Sequence, residues 1–178
     1  MAYYYLISQL PALIYGQTVP LTSKSFVELC KTNLSPKDFQ ALNVCVLNPP
    51  PSSIQFIEQW HTWERSLRLN IARYRASKIK REGPLEAPEY PASAVNTAKT
   101  AVTIESPLEA ELFLDEARWR TIEELQGITY FSINTVYAYL LKLLLMERRA
   151  CFIQEEGFEE YKKLYTVILA RGTTEGSQ

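Results

Sequence analysis

Apolar residues recur every three or four positions through most of this chain, which is the spacing of a helix face packed on a core. The clearest case begins after Ser53. Ile57, Trp60, Trp63, Leu67, Ile71 and Tyr74 form one stripe and predict a long helix from about 53 to 82. A second stretch, "SPLEAELFLDEARWRTIEELQG", carries its own punctuation. Ser106 is a capping residue, Pro107 suits the first helical position and Glu109 completes a capping box. Leu108, Leu112, Ala117, Trp119, Ile122 and Leu125 supply its apolar positions, and Gly127 is a natural stop. A third helix is expected from Ser132 to about Gln154, and a last amphipathic one over Phe158 to Arg171.

Two shorter helices precede the long one. Ser25 and Glu28 have capping-box spacing, with Phe26, Leu29 and Cys30 on one face and a stop near Asn33. In "SPKDF", Ser35 caps, Pro36 opens and Asp38 sits in the first turn, with Phe39, Leu42 and Val46 as its apolar stripe. "NPPPSS" ends that element, because three prolines cannot continue a helix. "YYYLISQL" before Pro11 is too short for periodicity to decide between an extended segment and a helix start. Gly83 to Ser106 reads as a linker with one weak helix, and "GTTEGSQ" at 172–178 as a flexible tail. The expected fold is therefore mainly all-α: a helical bundle in one domain, residues 1–171, with one long helix and a short N-terminal segment of undecided conformation.

Charge divides this pattern unevenly. Arg65, Arg68, Arg73, Arg75, Lys78, Lys80 and Arg81 occupy the second half of the long helix with no acidic residue among them. Glu109, Glu111, Asp115, Glu116, Glu123 and Glu124 make the 106–127 helix acidic, so pairing of the two helices is the structural use expected of both charge sets. The basic run could also hold nucleic-acid phosphates or an acidic protein face. A net charge of −1 weighs against nucleic acid.

Site chemistry is sparse. With a single histidine, His61, and scattered cysteines, a zinc site would have to be assembled from dispersed residues, so His61 reads as a packing or surface residue and no metal is expected. Phosphate-loop, dinucleotide-binding, nucleophile-elbow and zinc-protease motifs are missing, which argues for a non-catalytic protein with no cofactor and no small-molecule substrate. Glu123/Glu124 and Glu155/Glu156 are neighbours and point to different helix faces, so neither reads as an acid/base pair. Three scattered cysteines suggest reduced thiols in the cytoplasm. The apolar N-terminus lacks the basic start of a secretory signal. "AYLLKLLLMERR", from Ala138 to Arg149, belongs to an apolar run of about 14 residues, where a membrane span needs about 20. It reads as a core helix whose Lys142, Glu147, Arg148 and Arg149 meet water or a partner.

Two stretches, "YYYLISQLPAL" at the start and "FSINTVYAYLLKLLLMERR" later, resemble an uncharacterised bacterial family encoded within V-type ATP synthase gene clusters. That family is in turn loosely similar to the C subunit of archaeal-type ATP synthases, the counterpart of the eukaryotic d subunit. Those all-helical proteins join the rotor's central stalk to the membrane ring. The pair of short helices in "LTSKSFVELCKTNLSPKDFQAL" before a long one echoes them too. This chain departs from the C subunit in having room for little more than one of its three repeated units. The Lys142–Glu147 spacing also differs, so no residue role carries over. The resemblance implies a non-catalytic component or accessory protein, similar to the C subunit, that docks between stalk and ring. Its partners would be other subunits of that complex, and it would touch the inner membrane only through them. The interface residues expected on this reading are the basic run from Arg65 to Arg81 with Lys142, Arg148 and Arg149; the alternative is a nucleic-acid-binding module using the 65–81 helix.

Overall fold

The computed structural model describes residues 3–80 and 87–151. These form seven helices and no strand: α1 (Tyr4–Ser8), α2 (Ser23–Asn33), α3 (Pro36–Val44), α4 (Gln55–Lys78), α5 (Ala92–Thr103), α6 (Pro107–Gln126) and α7 (Ile133–Ala150). The mainly all-α expectation holds. The N-terminal segment is a short helix and not an extended one. Arg81, the expected Phe158–Arg171 helix and the 172–178 tail lie outside the described residues.

Local signals explain most helix starts. The Ser35 side chain accepts from the Asp38 amide, and Ser106 from the Glu109 amide, at N-termini that each carry proline in the first turn. At α2 the capping residue is Thr22, not Ser25: the Ser25 amide donates to the Thr22 hydroxyl at 3.2 Å. The Ser25–Glu28 pair has the right spacing one turn too late. Ser132 precedes α7 without capping it by its side chain; its hydroxyl donates to the Thr129 carbonyl instead. Gly127 ends α6 at φ 69°, a left-handed conformation in which a Cβ would be strained.

The long stripe of α4 is core as expected. Ile57, Trp60, Trp63, Leu67 and Ile71 are buried, with Tyr74 packed at the margin. Both indole N–H groups are satisfied, Trp60 by the Val46 carbonyl and Trp63 by the Ser93 hydroxyl, each at 3.1 Å. Leu108 and Val46, expected in apolar stripes, are exposed, and Ala110, Leu114 and Ala41 are buried in their helices instead.

The stretch read as a linker with one weak helix contains α5, whose Ala94, Ala98 and Ala101 are fully or nearly buried. Pro88 lies back along α4, where Asn70 Nδ2 donates to its carbonyl at 2.7 Å. Further on, Trp63 meets Ser93 and Lys78 donates to the carbonyl of Val102. Hence α4 and α5 run parallel in close contact, and the small alanine face permits that approach. α6 returns antiparallel to both and α7 antiparallel to α6, while α2 and α3 pack on α7.

The N-terminal segment straps this bundle. The Tyr3 amide donates to the Phe131 carbonyl at 3.1 Å, and the Tyr3 hydroxyl donates to Asp38. The Tyr139 hydroxyl donates to the Pro11 carbonyl at 2.9 Å, and Tyr15 reaches the Leu112 carbonyl at 3.0 Å. Glu147, near the end of α7, accepts from the Ser23 amide at 2.6 Å, placing a carboxylate at the N-terminus of α2.

Candidate functional site: a charged seam and the surfaces beside it

Charged side chains sort into a buried seam and an exposed face. Glu64, on α4, is 1% exposed and accepts from two arginines. Arg118 on α6 donates to it twice, Nε at 3.0 Å and a terminal nitrogen at 3.1 Å, a bidentate fork. Arg68, one turn along α4, donates Nε at 2.7 Å. Arg118 also donates to Asp115 at 3.0 Å. Arg148 on α7 lies 3.6 Å from the same Asp115 oxygen and 2.6 Å from Glu111. Three helices are thus joined by one chain of ion pairs, Arg68–Glu64–Arg118–Asp115–Arg148–Glu111.

Burial sets the electrostatics. Asp115 is also 1% exposed, and its Oδ2 has no hydrogen-bond partner among the described residues. Desolvation pushes its carboxyl above the usual aspartate range, opposed by Arg148 and Arg118. Arg118 feels the same desolvation, which lowers it, but Glu64 and Asp115 outweigh that and hold its guanidinium charged.

Pairing of α4 with α6 therefore follows a different plan from the one expected of a basic and an acidic helix. The carboxylate of the α4–α6 ion pair sits on the basic helix and the guanidinium on the acidic one. Acidic residues of α6 pair mainly with α7: Lys142 reaches Glu123 at 3.0 Å and lies 4.9 Å from the centre of the Trp119 ring. Arg149 lies over the ring of Tyr15 at 4.8 Å.

The expected interface residues separate accordingly. Lys142, Arg148 and Arg149 are held by intramolecular contacts. Lys78 is tied to α5. Arg65, Arg73, Arg75 and Lys80 are exposed and make no ion pair among the described residues. Arg68 and Arg75 stand two turns apart beside an open cleft of about 550 Å³ between α4, α6 and α7. Glu64 was not singled out by sequence reasoning; an acid between Trp63 and Arg65, one turn before Arg68, was the available signal.

A separate exposed surface is apolar. Tyr5 is 73% exposed and Ile128 91%, with Tyr4, Tyr130 and Phe131 also at the surface. Tyr4 and Phe131 touch, with ring centres 4.5 Å apart. This patch joins α1 to the α6–α7 turn. Trp60 and Trp63, by contrast, are buried in the core. His61 Nδ1 lies 3.8 Å from Glu58, and no cluster of metal-ligating side chains exists among the described residues. Cys30 and Cys45 are buried thiols, with burial pushing Cys30 up to about 12 and Cys45 higher still. No helix among the described residues is long and apolar enough to cross a membrane.

No curated protein and no solved structure matches the chain. Residues 96–171, which include most of α5 and all of α6 and α7, match a family described as a protein of unknown function, DUF2764.

Proposed function

We propose that this protein is a non-catalytic helical subunit or accessory factor of a V-type ATP synthase, docking between the central stalk and the membrane ring. The observation that carries the reading is the meeting of the two stretches that resemble the ATP-synthase-linked family. Residues 3–13 and 131–149 lie more than a hundred positions apart, yet Tyr3 bonds Phe131 and Tyr139 bonds Pro11. They expose Tyr4, Tyr5 and Phe131, and the turn just before Phe131 exposes Ile128 and Tyr130. Tyrosine-rich apolar patches are the kind of surface that protein partners cover, since each ring brings large contact area and a polar tip. The mechanism is mechanical: a braced helical body presents that surface to a neighbouring protein of the complex, and no nucleotide is handled.

Tagged protein, purified from cells that make the complex, should bring down stalk subunits. A Tyr4→Ser, Tyr5→Ser, Tyr130→Ser variant should lose them while staying folded. Clean failure of the parent protein to co-purify would sink the proposal.

A nucleic-acid-binding module is the second reading, favoured by the exposed Arg65, Arg73, Arg75 and Lys80. It requires affinity for RNA or DNA that falls steeply as salt rises; affinity that is absent or indifferent to salt removes it.

A further inference from the structure

We propose that the cleft between α4, α6 and α7 accepts a carboxylate-bearing segment of a protein partner, anchored by Arg75 and the terminal nitrogens of Arg68. This deepens the docking reading above, but its test does not depend on which complex supplies the partner. Arg68, Arg75, Arg118 and Arg148 line the cleft. Glu64, Asp115 and Glu111 hold Arg68, Arg118 and Arg148, while Arg75 makes no such pair among the described residues.

Donor capacity separates these cations further. A guanidinium carries five N–H groups. Arg118 directs Nε and both terminal nitrogens at Glu64 and Asp115. Arg68 gives only Nε, to Glu64, so its terminal nitrogens retain donors. Arg75 makes no ion pair or side-chain hydrogen bond among the described residues. The unused donors therefore sit at Arg68 and Arg75, seven residues and about 10 Å apart along the helix axis. Glu64 already fixes Arg68 from behind, so less rotamer freedom is lost when a ligand binds.

Shape and charge narrow the occupant. Ile71 and Leu114 lie in the cleft between these cations. A segment with two acidic residues about 10 Å apart and an apolar residue between them meets all three features. On a helix that is a separation of seven residues, and in an extended strand of three. Glu111 also lines the cleft, which opposes a dianionic phosphate more strongly than a carboxylate.

Fluorescently labelled poly-L-glutamate is the probe, titrated by anisotropy with the full-length protein at low salt. Arg75→Ala should weaken binding by about tenfold, the loss expected of a charge-assisted bidentate contact. Ala72→Trp, which fills the cleft without touching a charge, should weaken it as well. Arg65→Ala with Arg73→Ala, outside the cleft, should change it by less than about twofold. Equal weakening by the outside pair, preference for single-stranded DNA over polyglutamate, or no binding at all would overturn the proposal. So would tighter binding in a Glu155→Gln, Glu156→Gln variant, which would assign the cleft to the chain's own acidic stretch.

Discussion

Glu64 and Arg65 are neighbours on α4, yet they belong to different kinds of electrostatics. The Glu64 carboxylate is removed from water and held by three donors on two helices, while the Arg65 guanidinium stands in solvent. One residue step turns a helix by about 100°, enough to separate a structural charge from an available one. A basic run in a sequence is thus not one surface. Here it divides into a brace (Arg68), a tether (Lys78) and an open set (Arg65, Arg73, Arg75, Lys80).

Four changes would break or sharpen that contrast. Glu64→Ala has the largest expected effect. It leaves the buried Arg118 uncompensated on that side and should cost about 3–5 kcal/mol in urea unfolding. If it cost no more than Arg65→Ala, the seam would not be structural. Replacing Glu64 and Arg118 together by methionine should come back to within about 1–2 kcal/mol of the parent, because the damage lies in the orphaned charge more than in the lost attraction.

Asp115 gives the third change, read from pH. Burial raises its carboxyl in the folded state, against the pull of Arg148 and Arg118. Between its ordinary value and the raised one, the folded protein binds more proton than the unfolded chain. Its contribution to stability is therefore full below the ordinary aspartate value and is lost as pH rises through the folded one. Asp115→Asn removes that falling contribution. Stability measured by urea titration at stepped pH should then climb more steeply across this window than in the parent.

The smallest effect belongs to the exposed set. Arg65→Ala, Arg73→Ala and Lys80→Ala combined should leave stability within about 0.5 kcal/mol of the parent. A larger loss would mean that this face is structural after all.

Much of the fold was legible because its signals are local. Ser35 with Pro36, and Ser106 with Pro107, mark helix starts through contacts made within one turn. The α4 stripe needs only one face buried. Thr22 was missed because three hydroxyl residues, Thr22, Ser23 and Ser25, all suit a cap, and only the entering backbone decides among them. The weight of α5 was missed because Ala94, Ala98 and Ala101 barely register as hydrophobic, although smallness is what lets α5 lie close against α4. The seam was invisible for a different reason. Glu64 and Arg118 are 54 residues apart, and a charge pattern along the chain carries no information on which cation faces which carboxylate. The apolar patch had the same obstacle, since it exists only once Tyr4 meets Phe131.

That meeting also bears on synthesis. Chains emerge from the ribosome at about 5–20 residues per second. Tyr3, Pro11 and Tyr15 wait for Phe131, Tyr139 and Arg149, more than a hundred positions later, an interval of about ten seconds at that rate. Until those later residues emerge these strap contacts cannot form, and through that interval the aromatic segment from Tyr3 to Tyr15 stays available to chaperones, or to an assembling neighbour.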